Sequence, residues 1–140
     1  MNLYFLKLDG IRGESNADRH FAEIDLLGFT WGDVHKAATA GIGAGKASFN
    51  DLTIFKKGDR TSPEFMLAST DGRHFEQATL TVETISESGG LLRTVSVHMQ
   101  ALLVNTFRAL ADSHDSPSSA SEEVGLKFAH MKIVKHEAQK

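Results

Sequence analysis

Apolar residues recur at every second position over most of this chain, and that spacing commits it to β-strands before anything else. Ala78, Leu80 and Val82 point one way, while Gln77, Thr79, Thr81 and Glu83 point the other. The same alternation predicts strands over 2–9, 22–36, 45–57, 74–85, 91–106 and 122–136. Two of the longest change phase midway. Val95, Val97 and Met99 share a face, then Leu102 and Val104 take over after a one-residue slip near Gln100-Ala101. Val124, Leu126 and Phe128 are likewise followed out of step by Met131 and Ile133. A β-bulge produces such a slip and bends its strand. The chain is therefore read as mainly β: a β-barrel of two packed antiparallel sheets.

One short helix interrupts the strands. Thr61-Ser62-Pro63-Glu64 offers a capping hydroxyl, a proline for the first helical position and a carboxylate in the first turn. Gly72 supplies the stop. So short a helix does not hold in isolation, so its apolar side is expected to pack on the barrel.

The N-terminal strand runs into Asp9-Gly10-Ile11-Arg12-Gly13-Glu14. Both glycines are expected to take positive φ there, with Asp9 bonding the backbone two residues on. Glu87 to Gly90 reads as a hairpin turn, 37–46 as a flexible loop of small residues, and 112–121 as an exposed Ser-rich loop. No linker or repeat divides the 140 residues, so 1–140 is one domain.

Composition narrows function mainly by exclusion. The formal net charge is −3 and the two signs are interspersed, so no basic stripe argues for nucleic acid or an anionic membrane surface. With no cysteine, disulfides and thiolate metal sites are impossible. Lys7 and Asp9 interrupt the N-terminal apolar run, which does not read as a secretory signal. The sequence predicts folding in the cytoplasm and any export by a route that cleaves no signal.

Catalytic readings fail on their own terms. Gly41-Ile42-Gly43-Ala44-Gly45-Lys46 invites a phosphate loop, but Ala40 stands where its first glycine belongs and Ala47 where Ser or Thr must follow. A strand, and no helix, comes next. Ser113-His114-Asp115 has the residue types of a triad, yet adjacent residues cannot converge on one reacting atom. The histidines show no metal-binding spacing, and His98 and His130 read as solvent- or lumen-facing. Trp31, on one strand face with Phe29, reads as core or corner packing. No catalytic, cofactor-binding or metal residue is assigned, and no cofactor is expected.

Ordered blocks along the chain resemble the Hcp (haemolysin-coregulated protein) family, the tube protein of type VI secretion systems. They begin with Tyr4-Phe5-Leu6-Lys7-Leu8 before the Asp9 turn, and with Phe29-Thr30-Trp31-Gly32. Gly45-Lys46, Phe55-Lys56-Lys57, Thr61-Ser62-Pro63 with Met66-Leu67-Ala68, and Gly72-Arg73-His74-Phe75 follow in order. Ala78-Thr79-Leu80-Thr81-Val82 and Val124-Gly125-Leu126-Lys127-Phe128-Ala129 complete the set. The resemblance implies a non-enzymatic, ring-forming barrel with one helix on its side.

By the same resemblance the partners are five further copies in a homo-hexamer, stacked rings, secreted effector proteins, and type VI spike and sheath proteins. Neither nucleic acid nor membrane is among them. It implies a subunit made in the cytoplasm and exported to the extracellular space or a target cell. Thr39, Ala40, Gly41, Ile42, Gly43 and Ala44 are the candidate stacking loop, and Thr30 the candidate lumen or effector contact. The alternatives are a ring-shaped effector carrier or chaperone, or a phage-type tail tube protein.

Overall fold

The computed structural model describes residues 1–32, 51–110 and 121–137. Its strands are β1 (Asn2–Leu8), β2 (Ile24–Leu26), β3 (Gly28–Trp31), β4 (Asp51–Lys57), β5 (His74–Ile85), β6 (Leu91–Leu110) and β7 (Ser121–Glu137). They form one seven-stranded sheet in the order β2-β1-β5-β6-β7-β4-β3. Every pairing is antiparallel. The two outermost strands, β2 and β3, are separated in the chain by Leu27 alone. The sheet must therefore curl until its edges meet. Leu27 N–H fastens that seam by donating to Phe55 O on β4 at 2.6 Å. The strand expected over 22–36 is divided at this corner, one part running beside β1 and the other beside β4.

Cross-strand rows account for the phase slips. Leu80, Val97 and Ile133 stand opposite one another, as do Ala78, Met99 and Met131, and then Phe75, Leu102 and Phe128. Between the last two rows each strand carries two exposed residues in succession: Glu76-Gln77, Gln100-Ala101 and Ala129-His130. All three strands slip at one level, so the pairing register is the same on both sides. These slips are not the bulges expected from the sequence. A bulge adds a residue to one strand of a pair, whereas here all three neighbours add one together. Ala101 absorbs the crease with a left-handed φ of 57°. True register shifts lie elsewhere, between Thr84 and Ile85 and between Val104 and Thr106.

Helix α1 (Ser62–Asp71) forms where the cap signals place it. Gly72 ends it with φ 70°, its N–H donating to Ala68 O. The expected Thr61 side-chain cap is not made. Thr61 Oγ1 instead donates to Asp59 Oδ1, which also accepts from Thr61 N–H. Phe65 and Ala68 are buried against the barrel, and Met66 and Leu67 stay exposed. The helix contributes a narrow apolar stripe only.

Beside the helix start lies a buried ion cluster. Lys56 has no exposed surface, and its Nζ donates to Glu122 Oε1 at 2.7 Å, Asp59 Oδ1 at 3.0 Å and Lys57 O at 3.0 Å. Ser62 Oγ donates to the same Glu122 oxygen at 2.8 Å. β4, β7 and the helix N-terminus are thereby tied together.

The turn after β1 also differs from expectation. Gly10 has φ 89°, but Gly13 does not adopt positive φ. Space decides at Gly13, where a Cβ would stand 2.3 Å from Glu23 O.

Candidate assembly surface

β7 outruns the described part of its neighbour β4. β4 accompanies it only from Ser121 to Lys127. Beyond that point, among the described residues, Phe128–Glu137 pairs on one side only, with β6. An edge strand of this kind offers a row of backbone donors and acceptors to a further chain. Met131 is 41% and Ile133 58% exposed, although both continue the rows whose other members are buried. Lys132 points to the opposite face and Lys135 shares theirs, and both lysines are exposed. Lysine on an edge discourages indiscriminate pairing.

β3 carries Thr30 exposed, with Phe29 and Trp31 half-buried on its other face. These rings belong to a run of edge-to-face contacts: Tyr4–Phe29 at 5.8 Å, Phe29–Trp31 at 6.0 Å and Trp31–Phe128 at 5.9 Å. Trp31 thus packs at a corner, as its sequence context predicts. The run holds β3 firm, so Thr30 is presented from a rigid element.

The segment between β1 and β2 folds back over the outer side of the barrel. Gly13 N–H donates to Ala22 O, and Ser15 N–H to Glu23 O. His20 stacks on Phe5 with ring centroids 4.1 Å apart. Its Nδ1 lies 2.9 Å from Glu23 Oε1, and its Nε2 3.2 Å from Glu83 Oε2. That second contact has ion-pair distance without hydrogen-bond alignment. Arg19 Nε donates to the same Glu83 oxygen at 2.9 Å. Burial alone would raise the Glu83 pKa, but the Arg19 hydrogen bond and the polar contacts and charge of Arg19 and His20 outweigh it, leaving the carboxyl below its ordinary value. This cluster fixes shape; it presents no reactive group to solvent.

Of the sequence-predicted site residues, Thr30 is exposed on β3. Thr39, Ala40, Gly41, Ile42, Gly43 and Ala44 lie outside the described residues, as do Lys46 and Ser113-His114-Asp115. His98 and His130 are exposed, and His98 Nδ1 lies 3.2 Å from Thr79 Oγ1. No group of three or more potential metal ligands gathers among the described residues. Sequence reasoning passed over Met131 and Ile133 as a surface. Their phase is that of core residues, and among the described residues no strand accompanies β7 past Lys127 to cover them.

A family model described as "Type VI secretion system effector, Hcp" matches residues 5–134. The chain is 31% identical over 137 residues to Protein hcp1 of Pseudomonas aeruginosa, spanning 92% of this chain and 80% of that protein. Hcp1 from Salmonella typhimurium superposes with a TM-score of 0.70 at 25% identity, covering 97% and 94% of the two chains. A structure titled as a type six secretion system protein gives 0.74 at 23% identity, covering 95% of this chain and 83% of that one.

Proposed function

This chain belongs to the Hcp family, the tube proteins of type VI secretion systems, and from that premise we propose that six copies close into a ring and that rings stack into the tube. The ring works by enclosing and conveying effector proteins and performs no catalysis. The observation that carries the reading is that, among the described residues, β7 from Phe128 to Glu137 pairs on one side only, with Met131 and Ile133 exposed on it. A long edge bearing apolar side chains calls for a partner. Identical subunits joined head to tail meet that demand in a closed ring when the rotation divides the circle.

Within the ring, Thr30 contacts the conveyed effector. Thr39–Ala44 bears on the adjacent ring, and spike and sheath proteins complete the machine. The subunit folds in the cytoplasm and leaves through the apparatus. No helix among the described residues is long and apolar enough to cross a membrane.

Light scattering on purified protein tests the assembly and is expected to give about six chain masses. A monomer at every concentration overturns the reading. Removing Thr39–Ala44 is expected to leave the circular dichroism spectrum unchanged while electron micrographs lose stacked tubes. Thr30→Gln is expected to reduce co-purification of the effector without dissociating the ring.

A further inference from the structure

The sheet register brings together two histidines that lie far apart in the chain. His98 on β6 stands opposite Lys132 on β7, and Gln100 stands opposite His130. His98 and His130 are therefore diagonal neighbours across one strand pair. Met99 is buried between His98 and Gln100, so these two point outward, and His130 is exposed across from them. Diagonal partners lie about 7–8 Å apart, within reach of one another's longer side chains. Two imidazoles and one amide thus share a patch of the sheet's outer face, a grouping that ligand spacing along the chain does not reveal.

His98 is also oriented. Its Nδ1 lies 3.2 Å from Oγ1 of Thr79, the residue opposite it on β5. An Nδ1–H that donates to this hydroxyl leaves Nε2 with its lone pair, and a second bond of that kind is what aims a ligating imidazole. Gln77, Thr79, His98 and Gln100 line a shallow depression of about 190 Å³ beside it. His20, by contrast, has both ring nitrogens turned to Glu23 and Glu83. His74 and His136 stand opposite Leu103 and Thr94.

The geometry points to a site for a divalent transition-metal ion on this face. His98 Nε2 and a ring nitrogen of His130 are its ligands, and Gln100 Oε1 is a third donor. No group of three or more His, Cys, Asp or Glu gathers among the described residues, so water completes the coordination and the site is open. Imidazole donors without a carboxylate select Cu2+, Ni2+ or Zn2+ over Mg2+ and Ca2+. Lys132, opposite His98, is the cation that opposes binding. The site belongs to a single subunit and does not depend on the ring.

Cu2+ titrated into the full chain tests it, with calorimetry for affinity and pulsed electron paramagnetic resonance to count coordinated imidazoles. His98→Ala and His130→Ala are each expected to weaken the tightest site at least about tenfold and to reduce the imidazole count from two to one. Thr79→Val is expected to weaken it less than either, since only the orienting contact is lost. Lys132→Gln is expected to tighten it, because a like charge no longer faces the ion. The double variant His74→Ala with His136→Ala is expected to bind as the parent does. Circular dichroism verifies folding, and His98→Gln with His130→Gln replaces either alanine variant that proves unstable. Tight binding that survives loss of both His98 and His130, or a single imidazole in the parent spectrum, overturns the site. Weaker binding in Lys132→Gln places the ion elsewhere and overturns it too.

Discussion

Lys56 and Glu122 lie 66 positions apart in the chain, yet their side chains meet at 2.7 Å inside the barrel. Each sits in the inward phase of its strand, Lys56 after Leu52 and Ile54, and Glu122 before Val124 and Leu126. Opposite charges at inward positions of two paired strands are not an accident of surface decoration. Removing either partner leaves the other charge enclosed without its counterpart.

Lys56→Met is accordingly expected to lower unfolding free energy by about 3 kcal/mol, since it strands Glu122 and Asp59. Denaturant titration measures the loss. Joint replacement of Lys56 and Glu122 by apolar residues is expected to recover a substantial part of it.

Glu83 sets an acid limit. Its folded pKa lies below the ordinary value of 4.5. Its contribution is therefore complete above that value and disappears as pH falls through the lowered folded one. Melting temperatures followed from pH 6 to pH 3 are expected to drop less steeply in Glu83→Gln than in the parent. The variant should start from a lower plateau.

Gly13→Ala drives a methyl group into Glu23 O, the backbone of the next strand's approach. A loss of about 2 kcal/mol or more is expected in chemical unfolding, because backbone must move to accept it. Gly28→Ala is the matched control: nothing lies within 4 Å of its added Cβ, and its stability is expected to stay within about 0.5 kcal/mol of the parent.

Ala101 holds a left-handed φ that alanine tolerates poorly. Ala101→Gly is expected to leave stability unchanged or raise it by up to about 1 kcal/mol. Ala101→Val, β-branched in the same conformation, is expected to lose more than that. Differential scanning calorimetry on the two variants separates them.

Phe128→Ala removes the ring at the end of the aromatic run and is expected to cost about 3 kcal/mol. Trp31 is the only tryptophan, so its emission reports the change directly. A red shift in the folded variant is the expected signature, because Trp31 loses its neighbour at 5.9 Å.

How much of this was legible in the sequence follows from what each residue's role depends on. Most of the described strand positions, the helix and the exposed His98 and His130 depend on local alternation and were read correctly, but the strand over 22–36 is divided at Leu27 and the Thr61 side chain makes no cap. The Lys56–Glu122 pair was not read: Glu122 beside Glu123 looks like a solvated charge, and the phase of Leu52-x-Ile54-x-Lys56, which marks Lys56 as inward, is easily passed over for a charged residue. The Glu83 cluster was not legible. Glu83 alternates as an outward residue and is buried only because the chain between β1 and β2 folds back over it. The exposure of Met131 and Ile133 was hidden for the converse reason: inward phase promised burial, and among the described residues no strand beyond Lys127 provides it.

The shared crease at Glu76, Ala101 and Ala129 carries one more implication. Three strands remain in step there because each is longer by the same single residue. An insertion or deletion in any one of them would throw its side chains out of alignment with both neighbours at once. Changes of length at this level are therefore viable only as coordinated triplets, whereas the turn at Ser86–Gly90, which joins β5 to β6 beyond their paired ends, is free to vary one residue at a time.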